Sequence, residues 1–311
     1  MVAPRVRIVL NPRAGSGAAL RKLPEVEAAV SRLALSYDVR KTEGPGDATR
    51  LAREAAAEGI ETLAVMGGDG TLNEIVQAYV DPAGAAVAGP SILVVPAGTG
   101  GDYRKSLGLS DRSREAVQKL RGGQKKRVDL GWLDVTSDTG EKVSRAFVNI
   151  TSFGIGGVTD KLVNDSPKWL GGRASFLVGA TRAMLSYENA NVRVRVDGKD
   201  FYEGAIVNVA VALGKYFGGG MKVAPEADLS DGLFDVVSIG DFSKIASLGL
   251  TRLIYSGAHI DTPGIKHARG SVVEAEPVSS RSKVLIDMDG ETPGRLPLRA
   301  IVVPGAIEVH V

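Results

Sequence analysis

The stretch Thr62-Leu63-Ala64-Val65-Met66-Gly67-Gly68-Asp69-Gly70-Thr71-Leu72-Asn73-Glu74-Ile75 constrains the fold of this chain more than any other. Thr62 to Met66 is an apolar run with the length of a buried strand, and Leu72, Ile75, Val76 and Tyr79 recur with the spacing of a helix face. The glycines therefore lie between a strand end and a helix N-terminus, where unpaired N–H groups and the helix dipole favour an anion, most often phosphate. Glycine lets the backbone approach such an anion closely. A bare carboxylate at Asp69 would repel it, which points to Mg²⁺ between them or to a hydroxyl whose proton Asp69 accepts. A strand-to-helix turn in which Asp69 or Thr71 merely caps the helix satisfies the same residues.

The surrounding segments narrow the choice. Val6 to Leu10 is a strand-like run followed by Asn11-Pro12-Arg13-Ala14-Gly15-Ser16-Gly17 and a helical pattern over 18–35. No Gly-Lys-Ser/Thr closes this loop, and a third glycine is missing, so it is neither a Walker A loop nor a dinucleotide fingerprint. Tyr37 to Thr42 reads as a second strand, with a helix opening at Asp47 and running to about Ala57. Ile92 to Pro96 is a fourth strand, and it enters a loop containing Gly98, Thr99, Gly100, Gly101 and Asp102; helical segments follow, one of them near 112–120. Strands alternating with helices predict an α/β domain over 1–127, an open parallel sheet with flanking helices. In such a sheet the loops after strands one, three and four emerge at one edge together with Thr42, and their convergence favours a phosphate or nucleotide crevice.

After Gly122-Gly123-Gln124-Lys125-Lys126-Arg127 the pattern changes. The runs 128–136, 144–151, 191–196 and 204–213 are richer in β-branched residues and closer to alternation, separated by turns such as Asp197-Gly198-Lys199. A mainly helical stretch lies at about 157–187. These features predict a second, β-rich domain over 128–299, built on an antiparallel sheet. Residues 300–311 read as two short strands around Pro304-Gly305 that return to the first domain. Lys125-Lys126-Arg127 is either a phosphate-binding patch or a solvated turn.

Two segments of the second half carry candidate chemistry. Phe217-Gly218-Gly219-Gly220-Met221 leads into a loop with Asp228, Asp231, Gly232, Leu233 and Asp235, whose carboxylates suit either a hard cation or an aspartate-stabilised turn. Val284 to Met288 is a strand leading to Asp289-Gly290-Glu291, so its acids either line a solvated hairpin or face a cleft as a general base.

Composition excludes several function classes. A net charge of +2, from 38 basic and 36 acidic residues, gives no overall field that demands nucleic acid. The absence of cysteine removes disulfides, thiolate zinc sites and cysteine nucleophiles, and the three histidines, His259, His267 and His310, lack metal-ligand spacing. The first residues lack the layout of a signal peptide, and the apolar regions 175–185 and 245–260 are interrupted by Arg182 and Arg252. The expectation is a cytoplasmic protein. Glycine, 39 of 311 residues against a usual share of roughly 7%, clusters at element ends, as backbone-mediated binding loops require.

The set Asn11-Pro12, Gly15-Ser16-Gly17, Gly67 to Glu74, Pro96-x-Gly98-Thr99 with Asp102, Phe217 to Met221 and Asp289-Gly290-Glu291, in that order along nearly the whole chain, resembles the diacylglycerol kinase catalytic family, which includes bacterial soluble lipid kinases and the sphingosine kinases. The resemblance implies an ATP-dependent lipid kinase with its active site between an α/β nucleotide-binding domain and a β-rich domain. It implies that Asn11, Gly15, Ser16, Gly17, Thr42, Gly67, Gly68, Asp69, Gly70, Thr71, Asn73, Glu74, Gly98 and Thr99 serve the nucleotide. Asp69 and Asp102 would lie by the transferred phosphate, Glu291 would accept the proton with help from Asp289, and Asp228, Asp231 and the carbonyl of Leu233 would hold a structural Mg²⁺. Gly101 departs from the family pattern, which has asparagine there, and Arg104-Lys105 is more basic than usual.

The implied substrate is a lipid alcohol, with diacylglycerol, converted to phosphatidic acid, first and a sphingoid base, phosphatidylglycerol or an isoprenoid alcohol left open by the sequence; it is met at a membrane surface by peripheral contact, with room for a homodimer and no role for nucleic acid. Trp169, Leu170, Phe176 and Leu177, near Lys168 and Arg173, suit either interfacial docking or core packing. An NAD or sugar-phosphate kinase shares the Gly-Gly-Asp-Gly loop, but in NAD kinases the Asn-Glu pair usually lies well downstream, whereas Asn73-Glu74 follows the loop directly. A non-catalytic nucleotide or lipid module predicts loss of the acids, yet Asp69, Asp102, Asp289 and Glu291 are present. A dehydrogenase is disfavoured because neither Gly154-x-Gly156-Gly157 nor Gly98-x-Gly100 completes the fingerprint.

Overall fold

The structure is a computed structural model that describes residues 5–97, 101–137, 139–164 and 187–311. Gly98, Thr99 and the 168–177 segment lie outside the described residues. The chain forms two compact units, Met1–Leu130 with Val303–Val311, and Gly131–Val302.

The first unit is an α/β layer structure. Strands β1 (Val6–Leu10), β2 (Tyr37–Lys41), β3 (Thr62–Gly67) and β4 (Ser91–Pro96) form a parallel sheet in the order β2-β1-β3-β4. Ile8 pairs with Val39 on one side and Ala64 on the other, and Ala64 pairs with Leu93. Helices α1 (Ala18–Arg32), α2 (Asp47–Ala57) and α3 (Asp69–Val76), the short α4 (Asp102–Ser106) and α5 (Ser113–Gly122) connect the strands. Alternation along β1 decides which face each residue covers. Val6, Ile8 and Leu10 pack with Val26, Ala29 and Val30 of α1 and Val117 of α5. Full burial of Val26 or Val30 stabilises the unit by about 1.5–3 kcal/mol each. Arg7 is also fully buried. Its guanidinium donates to Asp38 at 2.8 Å and Glu58 at 2.7 Å, and the Asp38 hydrogen bond is the main reason that its pKa is raised. An uncompensated cation there would be very costly.

In the second unit, β7 (Ile150–Gly154), β10 (Asn208–Ala212), β11 (Phe234–Ile239), β12 (Ile265–Gly270), β14 (Leu285–Met288) and the start of β15 (Glu291–His310) form an antiparallel sheet in the order β12-β11-β10-β7-β14-β15. Strand β13 (Val272–Pro277) pairs with β15 and β8 (Ala190–Val196), and β8 pairs with β9 (Lys199–Ile206). Strands β5 (Lys125–Thr136) and β6 (Lys142–Phe147) pair from Gly131↔Phe147 to Thr136↔Lys142. Strands β7, β10 and β11 are buried along their whole length, including the polar residues Thr151, Ser152, Asn208, Asp235 and Ser238. Helix α6 (Ile155–Asn164) follows β7, and α7 (Lys244–Ser256) packs Leu250 and Ile254 against Ala210, Ala212 and Val237. No helix among the described residues is long and apolar enough to cross a membrane.

The architecture is the α/β and β-rich combination read from the sequence, but element bounds differ: the 144–151 run divides between β6 and β7, the 204–213 run between β9 and β10, Lys125-Lys126-Arg127 opens β5 instead of forming a turn, and the end of the chain is also different. Residues 300–311 are not two strands: β15 runs unbroken through Pro304-Gly305. Gly305 absorbs the irregularity with φ of 56°, and its N–H donates to Asp129 Oδ1 at 2.7 Å instead of breaking the strand.

Candidate functional site

In the first unit the loops after β1, β3 and β4 are joined by side chains that the sequence had marked. Asn11 donates from its backbone N to the Met66 carbonyl at 3.0 Å and from Nδ2 to Thr71 Oγ1 at 3.0 Å. It thus ties the first loop to the end of β3 and the start of α3. Gly15, Ser16 and Gly17 all have left-handed φ, of 58°, 54° and 82°. For serine that conformation is strained, a feature that collects at functional loops. Gly67 is required by space, because a Cβ there would lie 2.4 Å from Thr71 Cβ.

Asp69 joins the loops after β3 and β4. Its Oδ2 accepts N–H bonds from Gly101 at 3.0 Å and Asp102 at 3.3 Å. Burial pushes its carboxyl pKa up; the Gly101 and Asp102 amides pull the other way, while the nearby Asp102 charge adds to the rise. Buried Asp102 accepts from Lys105 Nζ at 2.8 Å. The site therefore holds two acids close together, a cation on one and amides on the other.

Glu74 has a different environment. Its Oε2 accepts from the N–H groups of Gly46 at 3.0 Å and Ala48 at 3.3 Å, at the N-terminus of α2, where the helix dipole favours a carboxylate. Asn73 is fully buried, and its carbonyl accepts from Gln77 Nε2 at 2.9 Å. Glu74 thereby ties α3 to the start of α2.

A concavity of ≈ 170 Å³ brings together Asn11, Thr42, Thr71 and Glu74. Arg13, Glu43, Gly44, Pro45 and Ala48 line it as well. The sequence reading missed these five. Arg13 follows Asn11-Pro12 directly, and 43–45 bridge the end of β2 and the start of α2, so position next to a strand's carboxyl end was the available signal. Gly15, Ser16, Gly17, Gly67, Gly68, Asp69, Gly70, Asn73 and Asp102 do not line this hollow.

In the second unit the acids of the 284–291 segment divide their tasks. β14 and β15 form a hairpin whose turn, Asp289-Gly290, has φ of 51° and 89°, the pairing of a type I′ turn. Asp289 Oδ2 accepts from Val148 N at 2.8 Å, and its Oδ1 from Asn149 N at 3.1 Å and Ile150 N at 3.0 Å. Three backbone donors on one carboxylate clamp the hairpin onto the start of β7. Glu291, at the head of β15, accepts from Arg145 Nη1 at 2.8 Å, and both side chains keep solvent contact, 39% and 30% exposed. Asn149 donates to the Tyr216 carbonyl at 2.8 Å, which draws the Phe217–Met221 loop toward the same hairpin.

The Asp228–Leu233 loop is organised by its own donors. Asp228 Oδ1 accepts from Ser230 N at 3.0 Å and Ser230 Oγ at 2.8 Å, and Asp231 Oδ1 accepts from Leu233 N at 3.0 Å. Asp231 Oδ2 is bound by the Arg269 guanidinium. Among the described residues no three His, Cys, Asp or Glu side chains gather as a metal cluster. The oxygen donors Asp228, Asp231 and Leu233 have the hardness that Mg²⁺ needs, but in this arrangement Arg269 already neutralises Asp231, so the set does not fit an additional cation.

With this geometry in hand, similarity to known proteins identifies the family. The diacylglycerol kinase catalytic domain matches residues 5–133, and the YegS C-terminal NAD kinase beta sandwich-like domain matches 149–311. A diacylglycerol kinase of Staphylococcus carnosus is 29% identical over 98% of this chain and 94% of its own length. A Xanthomonas euvesicatoria protein named "Probable lipid kinase YegS-like" is 30% identical over 98% of this chain and 95% of its own. Among solved structures, a diacylglycerol kinase from Bacillus anthracis superposes with a TM-score of 0.69 at 21% identity, covering 99% of this chain and 96% of that one. Yeast NADH kinase complexed with NADH shares the fold with a TM-score of 0.54 at 12% identity, covering 99% of this chain and 83% of that one. Matched in both halves by these domains, and along nearly its whole length by such relatives, the chain belongs to the family of diacylglycerol kinases and YegS-like lipid kinases.

Proposed function

We propose that the chain transfers the γ-phosphoryl group of ATP to the hydroxyl of diacylglycerol, giving phosphatidic acid. The observation that carries this reading is similarity along nearly the whole chain to relatives named diacylglycerol kinase. The fold alone does not choose, since NADH kinase shares it.

The chemistry asks for positioning and charge stabilisation more than for covalent help. The glycine-rich loop before α3 offers amides at a helix N-terminus for the phosphates. Asn11, Thr42 and Thr71 line the hollow that would receive part of the nucleotide. Asp69, held by the amides of Gly101 and Asp102, fixes the loop after β4 at a set distance from the phosphate loop. Glu291 takes the proton of the lipid hydroxyl, and Arg145 holds it in one orientation. Asp289 fixes the turn that presents Glu291. Mg²⁺ bound with ATP would supply positive charge to offset that of the phosphates. The Asp228–Leu233 loop would take another ion only by displacing Arg269. The lipid is met by peripheral contact with a membrane.

The test is phosphate transfer from γ-labelled ATP to a panel of lipid alcohols in mixed micelles, with NAD in parallel. Labelled phosphatidic acid is the expected product. Labelling of NAD with no lipid product overturns the proposal.

A further inference from the structure

Large apolar side chains with high exposure are few among the described residues, and they are not scattered. Four of the seven, Ile245, Leu248, Leu253 and Tyr255, lie on α7, at 84%, 61%, 40% and 50% exposure. Helical spacing explains the division of this helix. Ser247, Leu250 and Ile254 form the stripe that packs onto the second unit's core. Ile245, Leu248, Arg252 and Tyr255 recur on the opposite side at intervals of three and four. The helix is capped as a rigid element, with Ser243 Oγ accepting from Ala246 N at one end and Gly257 in the left-handed conformation at the other. Its outward apolar face is therefore a stable surface of the folded chain.

The charge pattern identifies the occupant. Within α7 there is no Asp or Glu, and its charged side chains, Lys244 and Arg252, are both cationic and exposed, with the exposed acids Asp241 and Asp261 lying beyond its two ends. Arg252 stands between Leu248 and Tyr255 on the apolar face, where a long stem can lie along the apolar surface with its guanidinium reaching outward. Apolar side chains with a cation among them and a tyrosine at the rim suit the boundary between acyl chains and anionic headgroups. A second copy of the chain fits less well. A helix of 13 residues is about 20 Å long, and its face covers roughly 200 Å², far below the roughly 800 Å² per partner of a stable dimer. Two such faces would also bring like charges together.

We propose that α7 docks the enzyme in the plane of an anionic bilayer surface, with Ile245, Leu248 and Tyr255 entering the headgroup–acyl boundary and Arg252 meeting lipid phosphates. This deepens the reading of the chain as a lipid kinase, since a diacylglycerol substrate lies in that bilayer.

The experiment separates docking from catalysis. Full-length protein is sedimented with phosphatidylcholine vesicles, with and without phosphatidylglycerol, and compared with the double variant Ile245→Ser/Leu248→Ser and with Arg252→Glu, folding being checked by circular dichroism. All three substitutions are at exposed positions of α7. Wild type is expected to bind vesicles containing phosphatidylglycerol more tightly than neutral ones, and each variant to lose about tenfold or more of that binding. Turnover of vesicle-embedded diacylglycerol falls in parallel, while turnover of a monomeric short-chain diacylglycerol is unchanged. Vesicle binding by the variants equal to wild type overturns the proposal, as does a wild type that binds neither vesicle. A solution dimer that the double variant dissociates, with vesicle binding intact, also overturns it. If wild type phosphorylates neither diacylglycerol, the diacylglycerol kinase reading fails, and the vesicle measurement still decides the docking claim.

Discussion

Arg145 Nη1 lies 2.8 Å from Glu291 Oε2, with both side chains partly exposed, so the carboxylate proposed to accept the lipid proton is oriented by a cation from β6. Glu291→Gln keeps shape but cannot take a proton and should abolish turnover; near-normal kcat in that variant removes Glu291 as the acceptor. Arg145→Ala should lower kcat by about tenfold or more while leaving KM for ATP unchanged, because it removes the cation that orients the carboxylate and is not among the residues lining the hollow. Arg145→Lys should recover part of the loss. An equal loss in both variants would show that the guanidinium is needed for more than orientation.

Asp289 is expected to matter first for stability. Asp289→Ala strands the amides of Val148, Asn149 and Ile150 and puts alanine at a left-handed turn position, at a cost of about 3 kcal/mol or more in urea unfolding. Asp289→Asn retains an acceptor and tolerates the conformation, so its cost should be smaller. A variant of either kind with wild-type stability would contradict the clamp.

Asp69 should show the reverse relation between stability and activity. Its pKa is raised above the ordinary carboxylate value by burial, so the folded state binds the proton more strongly than the unfolded state. Stability from this group is present at acid pH and is lost as pH rises through the folded pKa. At neutral pH, Asp69→Asn removes that cost and keeps an oxygen acceptor for Gly101 and Asp102. The variant should melt at a higher temperature than wild type and have no measurable turnover. A lower melting temperature would sink this account.

Gly67 and Gly68 should respond differently to alanine. A Cβ on Gly67 collides with Thr71, which holds the Asn11 side chain, whereas one on Gly68 meets nothing within 4 Å. Gly67→Ala is expected to cost about 1–3 kcal/mol and to raise KM for ATP. Gly68→Ala should leave the melting temperature near wild type. Equal destabilisation would mean that the clash is relieved elsewhere.

His310 gives the fold an acid limb. Its Nε2 lies 3.0 Å from Ser91 Oγ and 3.4 Å from Thr62 Oγ1, and burial holds its pKa below the usual 6.5. Buried His259 is shifted in the same direction for the same reason. The unfolded state therefore binds protons more strongly. Their contribution is full above pH about 6.5 and is lost as pH falls through the lower folded values, by at most about 1.4 kcal/mol per pH unit for each histidine. His310→Gln should flatten that limb in a pH series of urea midpoints; an unchanged slope would exclude His310 as a source.

Local patterns made much of the first unit legible. Its strands are short runs, three of them ending in glycine-rich loops, so β1 to β4 follow from periodicity and breakers within a residue, while α1, read to Leu35, ends three residues earlier at Arg32. The second unit was harder. Strands β12 and β13 are half-polar, β12 carrying Lys266, His267 and Arg269, and their pairing depends on residues distant in sequence. Helix α7 passed as an apolar run because its outward face is nearly as apolar as its inward one, which erases the amphipathic signal. At the site, residue types pointed to the chemistry, but the division of labour among the acids depended on contacts. Glu74 against α2 and Asp289 against β7 are pairings that no spacing along the chain reveals.

The cap that Glu74 places on Gly46 and Ala48 also offers a built-in reporter. Glu74 lines the hollow beside Thr42 and Thr71, so a nucleotide that draws its carboxylate away would release those two amides to solvent. Their hydrogen-exchange rates would then change with occupancy, without any label on the ligand. Protection at Gly46 and Ala48 would read the state of the pocket from its own rim.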